Sequence, residues 1–129
     1  MSTRCFIGIE LESGGMLSIY CHHDGYPEGV GEKLQMYWDD RQAVEELLRL
    51  GDISSLGLSI EGTEAYCRDR GEPLHPARIR SEEAMLESWG EYVYMYTLLG
   101  VWMVKSLGRE EHKWHSINAA IDSPEILDD

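Results

Sequence analysis

The chain has 129 residues, 43% hydrophobic and 27% charged, the length of one domain and enough to bury a single core. Its 24 acidic against 11 basic residues leave a net charge of −13, which repels nucleic acid and anionic membranes and favours a basic protein partner. No apolar run approaches the roughly 20 residues of a membrane span, and the N-terminus MSTRCFIGIE lacks the apolar region of a secretory signal.

Cys5, Cys21 and Cys67 are an odd number in a chain without an export signal, and they read as reduced thiols of a cytoplasmic protein. Cys5, Ile7, Ile9 and Leu11 alternate with Phe6, Gly8 and Glu10, the pattern of a half-buried strand. Ser13-Gly14-Gly15 is a turn, and Leu17, Ile19 and Cys21 then alternate with Ser18, Tyr20 and His22. These two strands predict a β-hairpin. Asp24-Gly25 and Pro27 break the second strand. From Gly29 the pattern is helical, with Val30, Leu34, Tyr37 and Trp38 on one face. Asp39 is placed to cap a second helix with Gln42 as its partner. Val44, Leu47 and Leu48 form that helix's apolar face, and Gly51 stops it.

Residues 52–57 read as a helical turn or loop, and Leu58 to Asp69 as a third strand broken at Gly62. On that strand Glu64, Tyr66, Arg68 and Arg70 share a face. Pro73 and Pro76 mark a loop. Ser81 caps a short helix with Glu82 and Glu83 in its first turn and Met85, Leu86 and Trp89 as its buried side. Glu91 to Leu98 and Val101 to Lys105 predict a second hairpin around Leu99-Gly100. Both its faces are apolar, so it is either central in the sheet or part of an interface. The stripe Tyr92, Tyr94 and Tyr96 looks exposed and suggests a homodimer, with packing against a helix as the alternative. Trp114, Ile117 and Ile121 fit a last helix, and residues 123–129 read as a frayed acidic tail. The order ββααβαββα, with hairpins in place of βαβ units, predicts one α+β domain over residues 1–129. Its mostly antiparallel sheet is built from two hairpins plus a middle strand, with helices packed on it.

The densest chemistry lies in YCHHDGYPEGVGEK, residues 20–33. A Gly-rich turn before a helix can hold an anion on open backbone amides. Gly25, Gly29 and Gly31 would let a ligand approach, and Lys33 would reach a phosphate. Glu28 and Glu32 oppose that reading, as does the absence of a Walker sequence. His22 and Asp24 are candidates for general acid and base work, but strand alternation sends His22 and His23 to opposite faces. Cys21 and His23, with Cys67 and His75, carry zinc-type donors without a zinc spacing, so no metal or cofactor is assigned. Arg68 and Arg70 suit either a bound carboxylate or phosphate or internal ion pairs.

Three segments also carry a resemblance. YCHHDGYPEGVG, LGDISSLG and AYCRDRGE, in this order, resemble the segments of a family of small phage and prophage proteins. The likeness covers residues 3–72. It departs at His23, where a large aromatic is expected, and at Cys67, where a histidine is expected. The resemblance implies a phage or prophage origin and the cytoplasm of a bacterial host. Small acidic accessory proteins of that class act against host defences, as anti-CRISPR proteins do.

The leading expectation is therefore a non-enzymatic protein that presents Glu45, Glu46, Glu82, Glu83 and Glu87 to the basic groove of a host defence component. The alternative is a nucleotide-signal or small-ligand binder using His22, Asp24, Tyr26, Gly29, Gly31, Lys33, Arg68 and Arg70. A third is a nucleotide-directed enzyme with His22 and Asp24 as acid and base, although no nucleophile or metal-ligand set is evident.

Overall fold

A computed structural model describes residues 2–108 and 113–128. The frame is the first hairpin. Strands β1 (Cys5–Glu10) and β2 (Met16–Cys21) pair antiparallel, Cys5 opposite Cys21 and Glu10 opposite Met16. Alternation sends Cys5, Ile7, Ile9, Ile19 and Cys21 into the main core and Phe6 and Tyr20 to the other face.

A π-helical turn, Pro27–Gly31, leads without a break into α1 (Glu32–Tyr37). The buried row is Val30, Leu34 and Trp38, at a spacing of four; Tyr37, one step off that row, is exposed. Helix α2 (Arg41–Arg49) is capped by Asp40, not Asp39, because Asp40 has the extended backbone that a cap requires. Its carboxylate accepts the Gln42 N–H at 3.4 Å. Val44, Leu47 and Leu48 are buried as read, and Gly51 turns the chain with φ +75°.

The middle of the chain departs from expectation. Residues 53–55, read as loop, form strand β3 (Ile53–Ser55), parallel to β2 with Ile53 beside Cys21. The strand read over 58–69 shrinks to β4 (Glu64–Ala65), and Tyr66–Arg70 is a helix, α3. The Asp69 carboxylate accepts the Ala65 N–H at 2.7 Å, and Gly71 closes the helix at φ +69°. A local carboxylate–amide bond thus overrides the apparent alternation.

Strand β5 (Arg78–Ile79) pairs with β2, Leu17 opposite Ile79. Helix α4 (Glu82–Glu87) has the Ser81 cap, whose hydroxyl accepts the Ala84 N–H at 3.2 Å. It buries Met85 alone of its expected apolar side; Leu86 and Trp89 are exposed. Six residues give less than two turns, so only one position reaches the sheet.

The second hairpin is β6 (Tyr92–Tyr96) with β7 (Trp102–Ser106), antiparallel as read. β6 also lies parallel to β1, which joins the two hairpins. Strand β8 (His115–Ser116), helix α5 (Ile117–Asp122) and a 3-10 turn, Pro124–Asp128, follow. The expected frayed tail instead seats Leu127 in the main core, with residue 129 outside the described residues.

The result is an α+β fold on a mostly antiparallel sheet of order β4-β3-β2-β1-β6-β7-β8, with β5 beside β2. α1, α2 and α5 supply the main core; α4 covers a smaller cluster of Phe6, Met85, Val93 and Leu107. Because β6 is central, its tyrosine stripe is not a surface: Tyr94 and Tyr96 lie in the main core, which removes the exposed face expected to dimerise. Among the described residues no helix is long and apolar enough to cross a membrane.

Candidate functional site

β2 shares its outer edge between two short strands, β3 at one end and β5 at the other. Between them two backbone groups of β2 face side chains instead of a strand. The Asp52 carboxylate accepts the Tyr20 N–H at 2.9 Å, and Arg80 Nη1 donates to the Ser18 carbonyl at 2.6 Å. Arg80 also donates to the Ser18 hydroxyl at 3.0 Å, pairs with Asp52 at 3.4 Å, and lies over the Phe6 ring. Its side chain is 5% exposed. An ion pair thus stands in for a missing stretch of strand, meeting the requirement that buried backbone groups be bonded.

This pair floors a furrow on the α4 side of the sheet. One part, about 220 Å³, is lined by Phe6, Tyr20, Asp52, Arg78, Arg80 and Ser88. Next to Ser88, Trp89 enters a second cleft of about 630 Å³ with Ser2, Thr3, Arg4 and Glu91. Trp89 is 75% exposed and held at φ +64°, a left-handed conformation uncommon for a bulky residue. Arg4 and His22 flank the Cys5–Cys21 pair, so alternation places both on the Tyr20 face.

Electrostatics bind these groups together. The Tyr20 hydroxyl and His22 Nδ1 are 2.6 Å apart. Burial pushes the Tyr20 phenol up to about 12, with Arg4 pulling the other way. Burial also holds the His22 imidazole below its ordinary value, helped by His23, Arg4 and Arg70. The His22 tautomer sets the direction of this bond: with the imidazole proton on Nε2, the phenol donates to Nδ1. Arg4 and Arg78 have no ion-pair partner among the described residues.

Several residues of the 20–33 stretch take other roles. The N–H groups of Gly25, Gly29 and Val30 donate to Thr3, Tyr26 and Asp24 carbonyls, so the loop lacks the open amides of an anion cradle. Gly29 is required because a Cβ there would strike the Asp24 carbonyl, and Gly31 packs on the Tyr94 ring and Ile117. Lys33 turns away to the Leu56 carbonyl at 3.0 Å. Tyr26 and Asp24 meet at 3.3 Å on the surface, with Asp24 at φ +58°. His22 and His23 do contact each other, their rings 4.6 Å apart and nearly perpendicular. β2 ends at Cys21, so His23 is not held to the face opposite His22.

Arg68 pairs with Asp69 at 2.9 Å and donates to the Thr63 carbonyl at 2.6 Å. Arg70 pairs with Glu64 at 2.6 Å, bonds the Ser54 hydroxyl and stacks on Tyr66. Of these two, Arg70 is the one whose charge reaches His22. Glu45 and Glu46 sit on α2 and Glu82, Glu83 and Glu87 on α4, on opposite faces of the sheet. Two of them are ion-paired, Glu45 to Arg41 and Glu82 to Lys105. Among the described residues no group of three or more histidines, cysteines and carboxylates is placed to hold a metal; Cys21 Sγ points to the His23 carbonyl.

Sequence reading therefore reached His22 and Arg70 but missed Arg4, Tyr20, Asp52, Arg78, Arg80 and Trp89. The alternation of Ser18, Tyr20 and His22 was the available signal for Tyr20. Asp52 and Arg80 are 28 residues apart and carry no local signature. No protein-family model matches this chain, and neither a curated protein nor a solved structure matches it.

Proposed function

We propose that this chain is a non-enzymatic binding protein whose furrow takes a small phosphorylated ligand with a flat aromatic group, of the nucleotide class. One observation carries the reading. Of 11 basic residues in a chain of net charge −13, Arg4, Arg70, Arg78 and Arg80 gather around Tyr20 and His22, and two of them, Arg4 and Arg78, keep their charge free of any ion pair among the described residues, while Arg70 and Arg80 are paired with Glu64 and Asp52. Such a concentration opposes the charge of the whole and focuses the local field on an anion. Arg4 and Arg78 supply guanidinium forks suited to phosphate oxygens. Trp89 offers an exposed aromatic face for stacking. Within the prophage reading of the three segments, the role is that of a nucleotide-signal sponge in the bacterial cytoplasm.

The test is thermal shift and calorimetry with AMP, ADP, cyclic dinucleotides, adenosine and inorganic phosphate. A nucleotide present at about 100 times its Kd stabilises by about 2.7 kcal/mol. Adenosine is expected to fail, and Arg4→Gln with Arg78→Gln to abolish the shift while leaving the unliganded melting temperature close to wild type. No stabilisation by any nucleotide at millimolar concentration refutes the reading.

The charge of −13 favours a second reading, an acidic surface set against the basic groove of a host defence protein. Its candidate carboxylates lie on two faces, so such a groove would contact either the α2 set or the α4 set. Replacing Glu82, Glu83 and Glu87 by Gln distinguishes the faces, and affinity for that partner should fall steeply with added salt.

A further inference from the structure

The opposite side of the molecule carries a second concavity that the furrow does not use. It lies between the turn end of the first hairpin and α2 and measures about 430 Å³, at the small end of the roughly 300–1,000 Å³ typical of ligand clefts. Its floor is Ile9, Leu17 and Leu48, and Pro76 and Ala77 form a wall. Ile9 and Leu48 are buried, while Leu11, Leu17 and Ala77 are only partly covered by the core they pack against.

The rim is polar and asymmetric. Arg41 is neutralised by Glu45, one turn along α2, at 3.1 Å. Arg49 lines the same groove and has no ion-pair partner among the described residues. The three rim groups therefore sum to one positive charge, carried by Arg49, beside an apolar trough.

We propose that this groove binds a medium-chain monocarboxylate, its alkyl tail along Ile9, Leu17 and Leu48 and its carboxylate on Arg49. The chemistry selects the class. One guanidinium fork matches one carboxylate. The Arg41–Glu45 pair adds no net charge for a second anionic group, so the rim matches a single negative charge better than a dianion such as phosphate. An apolar lining with one placed polar group is the usual plan of a small-molecule site. This proposal does not depend on the furrow.

The probe is decanoate, with decanol as its uncharged counterpart and acetate as its tailless one, followed by methyl NMR and calorimetry. Decanoate is expected to bind saturably, with shifts confined to the methyls of Ile9, Leu11, Leu17 and Leu48. Acetate should produce none of these shifts. Arg49→Gln, at an exposed position, should weaken decanoate about tenfold or more and leave decanol affinity unchanged. Ala77→Trp, which fills the trough, should abolish both. Arg4→Gln with Arg78→Gln should bind decanoate as wild type does. Shifts spread over both faces of the sheet, or equal decanoate affinity in Arg49→Gln, overturn the proposal.

Discussion

His22 is the side chain whose state most directly reports on the furrow. Burial, His23, Arg4 and Arg70 all disfavour its protonated form. The folded protein therefore binds this proton less readily than the unfolded chain, whose histidine titrates near about 6.5. Its contribution to stability is full above that value and declines as the pH falls through it. In urea titrations between about pH 7 and 5, His22→Gln should show a shallower loss of stability than wild type. An identical slope refutes the assignment. An anion in the furrow reverses the balance, since it favours imidazolium. Nucleotide affinity should then rise as the pH falls over the same range, and His22→Gln should lose that rise. The Arg80–Asp52 pair gives a second prediction. Asp52→Ala strands a buried guanidinium and the Tyr20 N–H, and should cost about 3–5 kcal/mol in chemical denaturation. Arg80→Met, which removes the charge but keeps the stem over Phe6, should cost clearly less. Equal losses would show that the ion pair does not replace the missing stretch of strand.

At the scale of elements, the strand-turn-helix joint at 22–31 is a packing device. The Tyr94 hydroxyl donates to the Gly25 carbonyl at 2.6 Å in the buried interior. A Cβ on Gly25 would meet Cys5 Cβ and the Thr3 carbonyl, each at 2.8 Å. Tyr94→Phe leaves that carbonyl without its partner and should cost about 1–3 kcal/mol. Gly25→Ala forces backbone movement and should cost a comparable amount or more. Nucleotide affinity per folded molecule should survive both, because neither residue lines the furrow. The glycines of this joint were visible in the sequence; that they pack against β1 and β6 was not. The same limit recurs elsewhere. The two hairpins and the Val44, Leu47 and Leu48 face were legible because each rests on a local period. The β1–β6 parallel pairing joins residues nearly ninety apart, so no window contains it. Its consequence was therefore missed as well: Tyr94 and Tyr96 are buried on both flanks of a central strand. β3 was missed because Ile-Ser-Ser has no alternation, and its strand character comes from β2. The furrow combines both cases. Tyr20 and His22 follow from strand alternation, whereas Arg4, Arg78 and Trp89 reach them only through tertiary packing.

For the whole molecule, the charge of −13 acts in two ways that one variable separates. The surplus carboxylates repel one another over distances comparable to the Debye length, about 10 Å at 0.1 M salt. Added sodium chloride screens that repulsion, which opposes the compact state. Raising it from low to near-molar concentration should therefore raise stability by about 1 kcal/mol, roughly 3–6 °C for a domain of this size. The Arg80–Asp52 pair is largely shielded from bulk ions, so its contribution should persist at high salt, and Asp52→Ala should show the same salt-dependent gain as wild type. Ligand binding should respond in the opposite sense. A phosphorylated ligand held by Arg4 and Arg78 loses affinity as salt rises, because its contacts are partly exposed guanidiniums. The protein becomes more stable and its furrow weaker along one salt titration. Loss of both together would place the functional charge in the acidic surface, and gain of both would leave the arginine cluster without a role in binding.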